Sequence, residues 1–340
     1  MKNKKFKAVV IGIGNIGMMY DFDSLRPHPS SHVMGYCENN VFELTGVVES
    51  DSSKETLLRK FSKDTLFFKT LEEAFTKEAF VSADVISICT PPDTHFEILK
   101  FLADRDIGSI YFCEKPLVNS TEEARELKNL MTGKRQVIIP NITRRWNTGL
   151  RKIIDMIRSE QFGKLLKIHV RYTRGIFNTG SHMFDLIHMW TGDRIRRVKV
   201  LSETPTSAVP ERSFSFYFEL GNNVSGFAEA MDDRNYYLFE YDLFFSDGKI
   251  EVRDCGDTVI YYKTDHHHLY SAFRELKPID QISGLLSDSG MRNAIANIER
   301  SLQKTDEPYC AMEDAICPLY IAEALEKSYI THEMEELTYE

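Results

Sequence analysis

Gly12-Ile13-Gly14-Asn15-Ile16-Gly17 directly closes the apolar run FKAVVIG (6–12). Glycines at this spacing let the chain turn tightly, admit a pyrophosphate against the backbone and bring a helix close to a strand. The helix start that follows offers free amides and the positive end of a dipole. Gly12, Gly14 and Gly17, with Asn15 and Ile16 between them, therefore read as a dinucleotide cradle. Glu49 ends the second run, FELTGVV (42–48), where a carboxylate would take the hydroxyls of an adenosine ribose. It lies 32 residues beyond Gly17, whereas about 20 is usual. The excess is assigned to residues 21–31, DFDSLRPHPSS, read as an inserted loop. Like charges ~4 Å apart at an effective dielectric near 20 cost about 4 kcal/mol, so Glu49 would repel a 2′-phosphate. Ser50 and Asp51 come next rather than an arginine, and NAD is expected over NADP.

Two more strand ends carry chemistry: Thr90-Pro91-Pro92-Asp93-Thr94-His95 and Glu114-Lys115-Pro116-Leu117. Ligands of open α/β sheets gather at the carboxyl ends of strands. Thr90, Pro91, His95 and Glu114 are thus further candidates for cofactor contact, and Lys115 can reach a ring or a substrate hydroxyl. Arg144 and Arg145 follow the last run of this half. They could clamp a substrate phosphate or carboxylate, or pair with some of the 51 acidic residues. His182, Asp185 and His188 have ligand-like chemistry at i, i+3 and i+6, but such positions drift around a helix, so no metal site is assigned. His266-His267-His268 reads as a polar loop.

The elements that must position these groups change character near residue 140. Up to there, short continuously apolar runs (6–12, 42–48, 66–68, 84–90, 109–114 and 136–140) alternate with helical stretches. This is the pattern of strands covered on both faces. Four Ser/Thr-x-x-Glu capping boxes mark helix starts: Ser52–Glu55, Thr70–Glu73, Thr94–Glu97 and Ser120–Glu123. Alternating strands and helices imply a doubly wound parallel sheet of Rossmann type. Beyond 141 the period becomes two: Leu166, Ile168, Val170 and Tyr172 alternate with polar neighbours. A helix is expected over 181–191 with Ser181 as N-cap and Gly192 past its end, and two more over 290–304 and 313–332. The expectation is an α/β chain in two domains. Residues 1–140 form the NAD-binding domain, and 141–340 an α+β domain on a largely antiparallel open sheet. The run YYLFEYDLFF (236–245) is apolar on both faces, which points to a homodimer or homotetramer built through that sheet.

The 340 residues suit two domains. A net charge of −9 makes nucleic acid or an anionic membrane a poor main partner. No run approaches the 18 apolar residues of a membrane span, and the first residues read as a strand rather than a leader. Six cysteines without a CxxC pair suggest buried free thiols and a cytoplasmic protein.

The blocks GIGNIG (12–17), TPPDTH (90–95), EKPL (114–117) and GIFNTGSHMFDLIHMWTG (175–192) resemble the Gfo/Idh/MocA oxidoreductases, over nearly the whole chain. The resemblance implies that Lys115 belongs to the active site, that its bond to Pro116 is cis, and that His182 is the catalytic histidine. Many relatives have an aspartate four residues before that histidine, where this chain has Asn178; an amide orients a hydroxyl but accepts no proton. The chemistry agrees with the likeness. Taking hydride from a carbinol carbon requires removal of the hydroxyl proton, which a histidine can do near neutrality, while a lysine stabilises the developing oxygen charge. The expected activity is NAD-dependent oxidation of a secondary alcohol in a sugar, sugar nucleotide or cyclic polyol. Lys115, His182 and Asn178 would be catalytic, and Arg144, Arg145 and Asp185 would lie on the substrate side. The alternatives are an NAD-dependent glycoside hydrolase working by transient oxidation, and a non-catalytic dinucleotide-binding regulator.

Overall fold

Six strands, β1 (Phe6–Ile11), β2 (Phe42–Val48), β3 (Leu66–Phe68), β4 (Val85–Ile88), β5 (Ile110–Glu114) and β6 (Val137–Asn141), pair in parallel in the order β3-β2-β1-β4-β5-β6. Val9, Val10, Val85, Ile86, Ile88, Tyr111 and Phe112 are fully buried, as continuously apolar strands between two helical layers must be. The order reverses between β1 and β4, where a doubly wound sheet opens a crevice at its carboxyl edge. This computed structural model describes residues 5–207, 210–221 and 223–339.

Two units emerge: the chain through Trp146 together with Ser289–Ile316, and Asn147–Asp288 together with the chain from Cys317 onward. The first boundary lies six residues past the expected one. The helix Gly290–Leu302, expected in the second domain, joins the first. Its reasons are local. Ile295 and Met291 abut Gly35, Asn39 donates to Glu299 Oε2 at 3.1 Å, and Arg292 pairs with Glu38 at 3.2 Å.

The second unit carries nine strands: β7 (Leu165–Tyr172), β8 (Ile195–Thr204), β9 (Ser213–Leu220), β10 (Ser225–Ala230), β11 (Phe239–Phe245), β12 (Gly248–Arg253), β13 (Thr258–His266), β14 (Arg274–Ile282) and β15 (Glu335–Glu336). Their order is β14-β13-β12-β11-β7-β10-β9-β8-β15, antiparallel except for β7 with β10. Ile168, Val170, Tyr172, Phe214, Phe216, Phe218, Phe239, Tyr241 and Leu243 form the inner face. Trp190, on the helix Gly180–Thr191, packs edge-on against Tyr241 at 4.9 Å and donates to Leu150 O at 2.9 Å, tying that helix to the helix Thr148–Arg158. Leu166 does not share the inner face: the register of β7 and β11 shifts between Phe244 and Phe245, and Leu166 is exposed.

The outer face corrects the reading of 236–245. Tyr236 and Tyr237 precede β11 and are exposed, and the alternate positions within the strand are Glu240, Asp242 and Phe244. Asp242 meets Arg171 and Lys249 at 2.7 Å and Arg253 at 2.9 Å, while Glu240 and Glu251 complete the lattice. Burial pushes the Asp242 carboxyl up, but the three cations outweigh it and hold it below its ordinary value. A depressed folded value gives stabilisation that is complete above the unfolded value and is lost as pH falls through the folded one. Asp242→Asn is therefore expected to cost about 3 kcal/mol at pH 7. Urea melts at pH 7 and pH 3 should show the gap from wild type narrowing at the lower pH.

No helix among the described residues is long and apolar enough to cross a membrane. None of the six cysteines is in a disulfide; Cys89, Cys113, Cys310 and Cys317 are buried as expected, whereas Cys255 is half-buried and Cys37 is exposed.

Candidate active site

The glycine turn at the end of β1 is built by contacts that leave no choice of residue. Gly12 has φ +84°, and a Cβ there would stand 2.9 Å from Thr90 Cγ2 and from Thr90 N. A Cβ on Gly17 would come within 2.2 Å of Gly12 O. Gly14 differs: a Cβ there would meet nothing within 4 Å, so its outer side is open to a ligand. This is the cradle that a dinucleotide phosphate requires, and Thr90 at the end of β4 forms its neighbouring wall.

The helix expected to begin at this turn is interrupted. Gly14 O accepts from Met18 N and Met19 N, both at 3.0 Å, and a short 3-10 turn follows at Met19–Phe22. Helical bonding then resumes from a distance: His32 N donates to Ile16 O at 3.1 Å and Val33 N to Gly17 O at 3.0 Å. The helix His32–Glu38 thus continues the turn Gly14–Gly17, with residues 18–31 spliced between. Ser31 caps the resumed helix by accepting from Met34 N. Without those residues Gly17 and Glu49 would stand 18 apart, near the ordinary spacing. The inserted segment is tied down at both ends. Phe22 packs on Phe61 at 4.9 Å, Asp21 Oδ1 accepts from Ser30 N at 2.8 Å, and Pro29 O accepts from Ser289 Oγ.

Glu49 sits where the sequence placed it, at the end of β2, with 9% of its surface exposed. Its Oε2 accepts from Ile13 N at 3.0 Å and from Lys54 Nζ at 2.8 Å, and its Oε1 from Asp51 N at 3.0 Å. Burial raises its carboxyl, but Lys54 and the two amides outweigh that and hold it below the ordinary value. Nothing in the sequence singled out Lys54, one of several lysines on short helices.

Lys115 lies at the end of β5, half-buried, with a cis bond to Pro116. The residues around it are braced from inside. Glu114 Oε1 is 2.8 Å from His32 Nε2 and accepts from Asn141 Nδ2 at 2.6 Å; Asn141 Oδ1 accepts from Trp146 Nε1 at 2.8 Å. His32 Nδ1 meets Ser87 Oγ at 2.9 Å, and Ser87 meets the Tyr36 hydroxyl at the same distance. Burial pushes the Tyr36 phenol well above its ordinary value. His95, fully buried, lies 2.8 Å from Pro116 O and 2.9 Å from Thr90 O. One expectation changes here. The fully buried His95 ring braces the strand ends rather than facing a cofactor, and Glu114 Oε1 joins the bracing, because every polar group buried beside them needs a partner. Pro91, by contrast, is exposed at the start of the turn Pro92–Thr94. The network escaped the sequence reading because its members come from five separate elements.

Arg145 is also corrected. It is buried, pairs with Asp314 Oδ1 at 2.9 Å and donates to Tyr309 O at 2.8 Å, which makes it an internal tie of the first unit rather than a substrate clamp. Arg144 beside it is half-buried.

His182, Asn178 and Asp185 belong to the second unit. A π-helical turn, Gly175–Thr179, runs straight into the helix Gly180–Thr191. Ser181 is therefore not the N-cap; its hydroxyl donates to Asn178 O at 2.9 Å from inside the helix. Gly192 does end it, at φ +68°, its amide donating to His188 O at 2.8 Å. His182 and Asn178 are half-buried, whereas Asp185 is buried among the core residues of the helix. Glu211, which the sequence did not mark, braces the turn: its Oε2 accepts from Asn178 N at 2.9 Å, and a Cβ at Gly175 would collide with it. Among the described residues, one His/Cys/Asp/Glu group is close enough to share a metal ion, His267, His268 and Glu275 on the β13–β14 turn. There His267 Nδ1 is occupied by the amides of Leu269 and Tyr270, and His268 by Glu275, which is how a polar loop holds its shape.

Comparison with known proteins agrees with this geometry. D-glucoside 3-dehydrogenase of Escherichia coli is 23% identical over 181 residues, covering 53% of this chain and 46% of that protein. Inositol 2-dehydrogenase of Rhizobium meliloti is 24% identical over 146 residues, covering 39% and 42%. The chain thus spans less than half the length of the curated relatives it matches. In three dimensions it is similar to the WlbA dehydrogenase of Chromobacterium violaceum, crystallised with NADH and UDP-GlcNAcA. The TM-score is 0.76 at 13% identity, over 100% of this chain and 98% of that one, which establishes a shared fold. Residues 6–142 match the model of the oxidoreductase family with an NAD-binding Rossmann fold. Over those residues the chain is similar to the Gfo/Idh/MocA oxidoreductases.

Proposed function

We propose that this protein is an NAD-linked dehydrogenase acting on a secondary alcohol of a sugar, sugar nucleotide or cyclic polyol. The observation that carries the reading is the company Lys115 keeps. It stands at the end of β5, beside the strand end whose Thr90 packs on the open glycine turn. An ammonium at that edge of a dinucleotide sheet is placed to hydrogen-bond the oxygen of a carbinol whose carbon faces a nicotinamide. When bound, the nicotinamide supplies the hydride acceptor. Gly14 admits its diphosphate and Glu49 takes the ribose. Lys115 donates to the substrate oxygen and stabilises negative charge there. His182 Nε2 or Nδ1 collects the hydroxyl proton, and Asn178 and Arg144 orient neighbouring substrate groups. The names of the two sugar and polyol dehydrogenases support this substrate class. Assembly as a homodimer or homotetramer through the outer face of the second sheet belongs to the same reading; exposed Leu166 and Phe227 on β7 and β10 support it. Location in the cytoplasm fits the free thiols.

A screen of sugars, inositols and nucleotide sugars with NAD⁺ and NADP⁺, following reduced nicotinamide absorbance, tests the proposal. Net reduction with one class of alcohol is the expected result. Cleavage of a glycoside without net reduction would replace it with the hydrolase reading, and binding of dinucleotide with no turnover of any kind would favour the regulator.

A further inference from the structure

Glu49 can act on a preference between dinucleotides only through its charge and lone pairs, and here both are largely engaged. A carboxylate offers about four lone-pair sites. Three are taken at 2.8–3.0 Å by Ile13 N, Asp51 N and Lys54 Nζ, and Ser50 Oγ lies at 3.5 Å from the fourth. The two amides are fixed by the backbone of the glycine turn and of the β2 end. Lys54 is different. Its ammonium sits on a flexible four-carbon stem at the start of the helix Lys54–Leu58, with 24% of its side chain exposed. A ribose hydroxyl seeking Glu49 must therefore share the carboxylate with Lys54 or displace it. A 2′-phosphate arriving at the same place meets a neutralised pair rather than a bare anion, and it finds in Lys54 an ammonium that can turn from the carboxylate to the phosphate.

We infer that Lys54 is a specificity-determining residue: by pairing with Glu49 it lets this chain take a 2′-phosphorylated dinucleotide as well as the unphosphorylated one. The inference rests on the dinucleotide reading of the glycine turn and goes beyond it. Glu49 still favours NAD, and Lys54 sets how far.

Calorimetric titration of the full chain with NAD⁺ and with NADP⁺ tests this. Wild type binds both, NAD⁺ the more tightly. Lys54→Met weakens NADP⁺ relative to NAD⁺ by about tenfold or more, the worth of one charge-assisted hydrogen bond. Lys54→Arg, which keeps the charge, holds the ratio near wild type, and Glu49→Gln shifts it toward NADP⁺. A ratio that moves less than about threefold in Lys54→Met overturns the assignment while leaving the dinucleotide site standing. So does a wild type that takes NAD⁺ but no NADP⁺ at millimolar concentration. A wild type that binds neither overturns the dinucleotide reading, and this inference falls with it.

Discussion

His182→Ala is expected to lower turnover about a thousandfold while NAD⁺ still binds, and Lys115→Ala to do the same. A positioned acid or base contributes about 10²–10⁴ to a proton transfer, and the alcohol proton must leave as the hydride does. Neither residue belongs to the glycine turn, so the dinucleotide Kd should stay within a few-fold of wild type. The two variants separate the roles. Without His182 the rate should recover as pH rises, because hydroxide takes over as base. Without Lys115 the loss should persist at all pH values, because what is missing is stabilisation of charge on the substrate oxygen. Steady-state kinetics on the best alcohol, paired with calorimetric NAD⁺ titration, decides the matter. Turnover that survives both substitutions rules out the proposed chemistry.

Gly17→Ala is expected to destabilise the first unit by about 4 kcal/mol, and Gly14→Ala to leave stability unchanged while weakening dinucleotide binding. The two glycines are three residues apart in one motif, yet they serve different ends. The methyl of alanine at 17 would stand 2.2 Å from Gly12 O and 2.8 Å from Ile13 Cα, both backbone atoms of the tightest part of the turn. Neither can retreat without pulling β1 out of register with β2 and β4. At position 14 the same methyl enters empty space, the space a phosphate would fill. Thermal melts and NAD⁺ titrations of both variants should therefore give opposite pairs of results. A Gly14→Ala protein that binds NAD⁺ as wild type does would remove the phosphate from this turn.

The parallel sheet was legible because burial on both faces leaves a plain mark: all six runs from 6 to 140 are strands, with ends shifted by at most two residues. Cap chemistry was legible only in part. Thr70 and Ser120 accept from Glu73 N and Glu123 N as expected. Ser52 lost its place to Asp51, whose carboxylate takes Ser53 N and Oγ, and Thr94 was drawn into the proline-led turn, donating to Pro91 O. Lys115 and Glu49 could be found because strand ends are where such sheets do chemistry. His32, Ser87, Asn141 and Glu211 could not, since each acts through a neighbour distant in sequence, and Lys54, five residues from Glu49, looked like any other helix lysine. Arg145 shows the opposite error: its charge suggested a clamp, and only the packed structure reveals Asp314 opposite. The charged lattice around Asp242 was hidden for a related reason: the strand starts at Phe239, so Tyr236 and Leu238 fall outside it and the outer positions left are Glu240, Asp242 and Phe244, whose partners come from other strands.

The splice between Gly17 and His32 has a consequence for how this protein can vary. The two edges of the seam are bonded directly to each other, through Ile16 and Gly17 on one side and His32 and Val33 on the other. The first turn of the cradle is therefore closed whatever hangs between them. The segment 18–31 hangs from a joint that is already closed, so its sequence and length can change between the ties at Asp21, Phe22 and Pro29 without reopening the glycine turn.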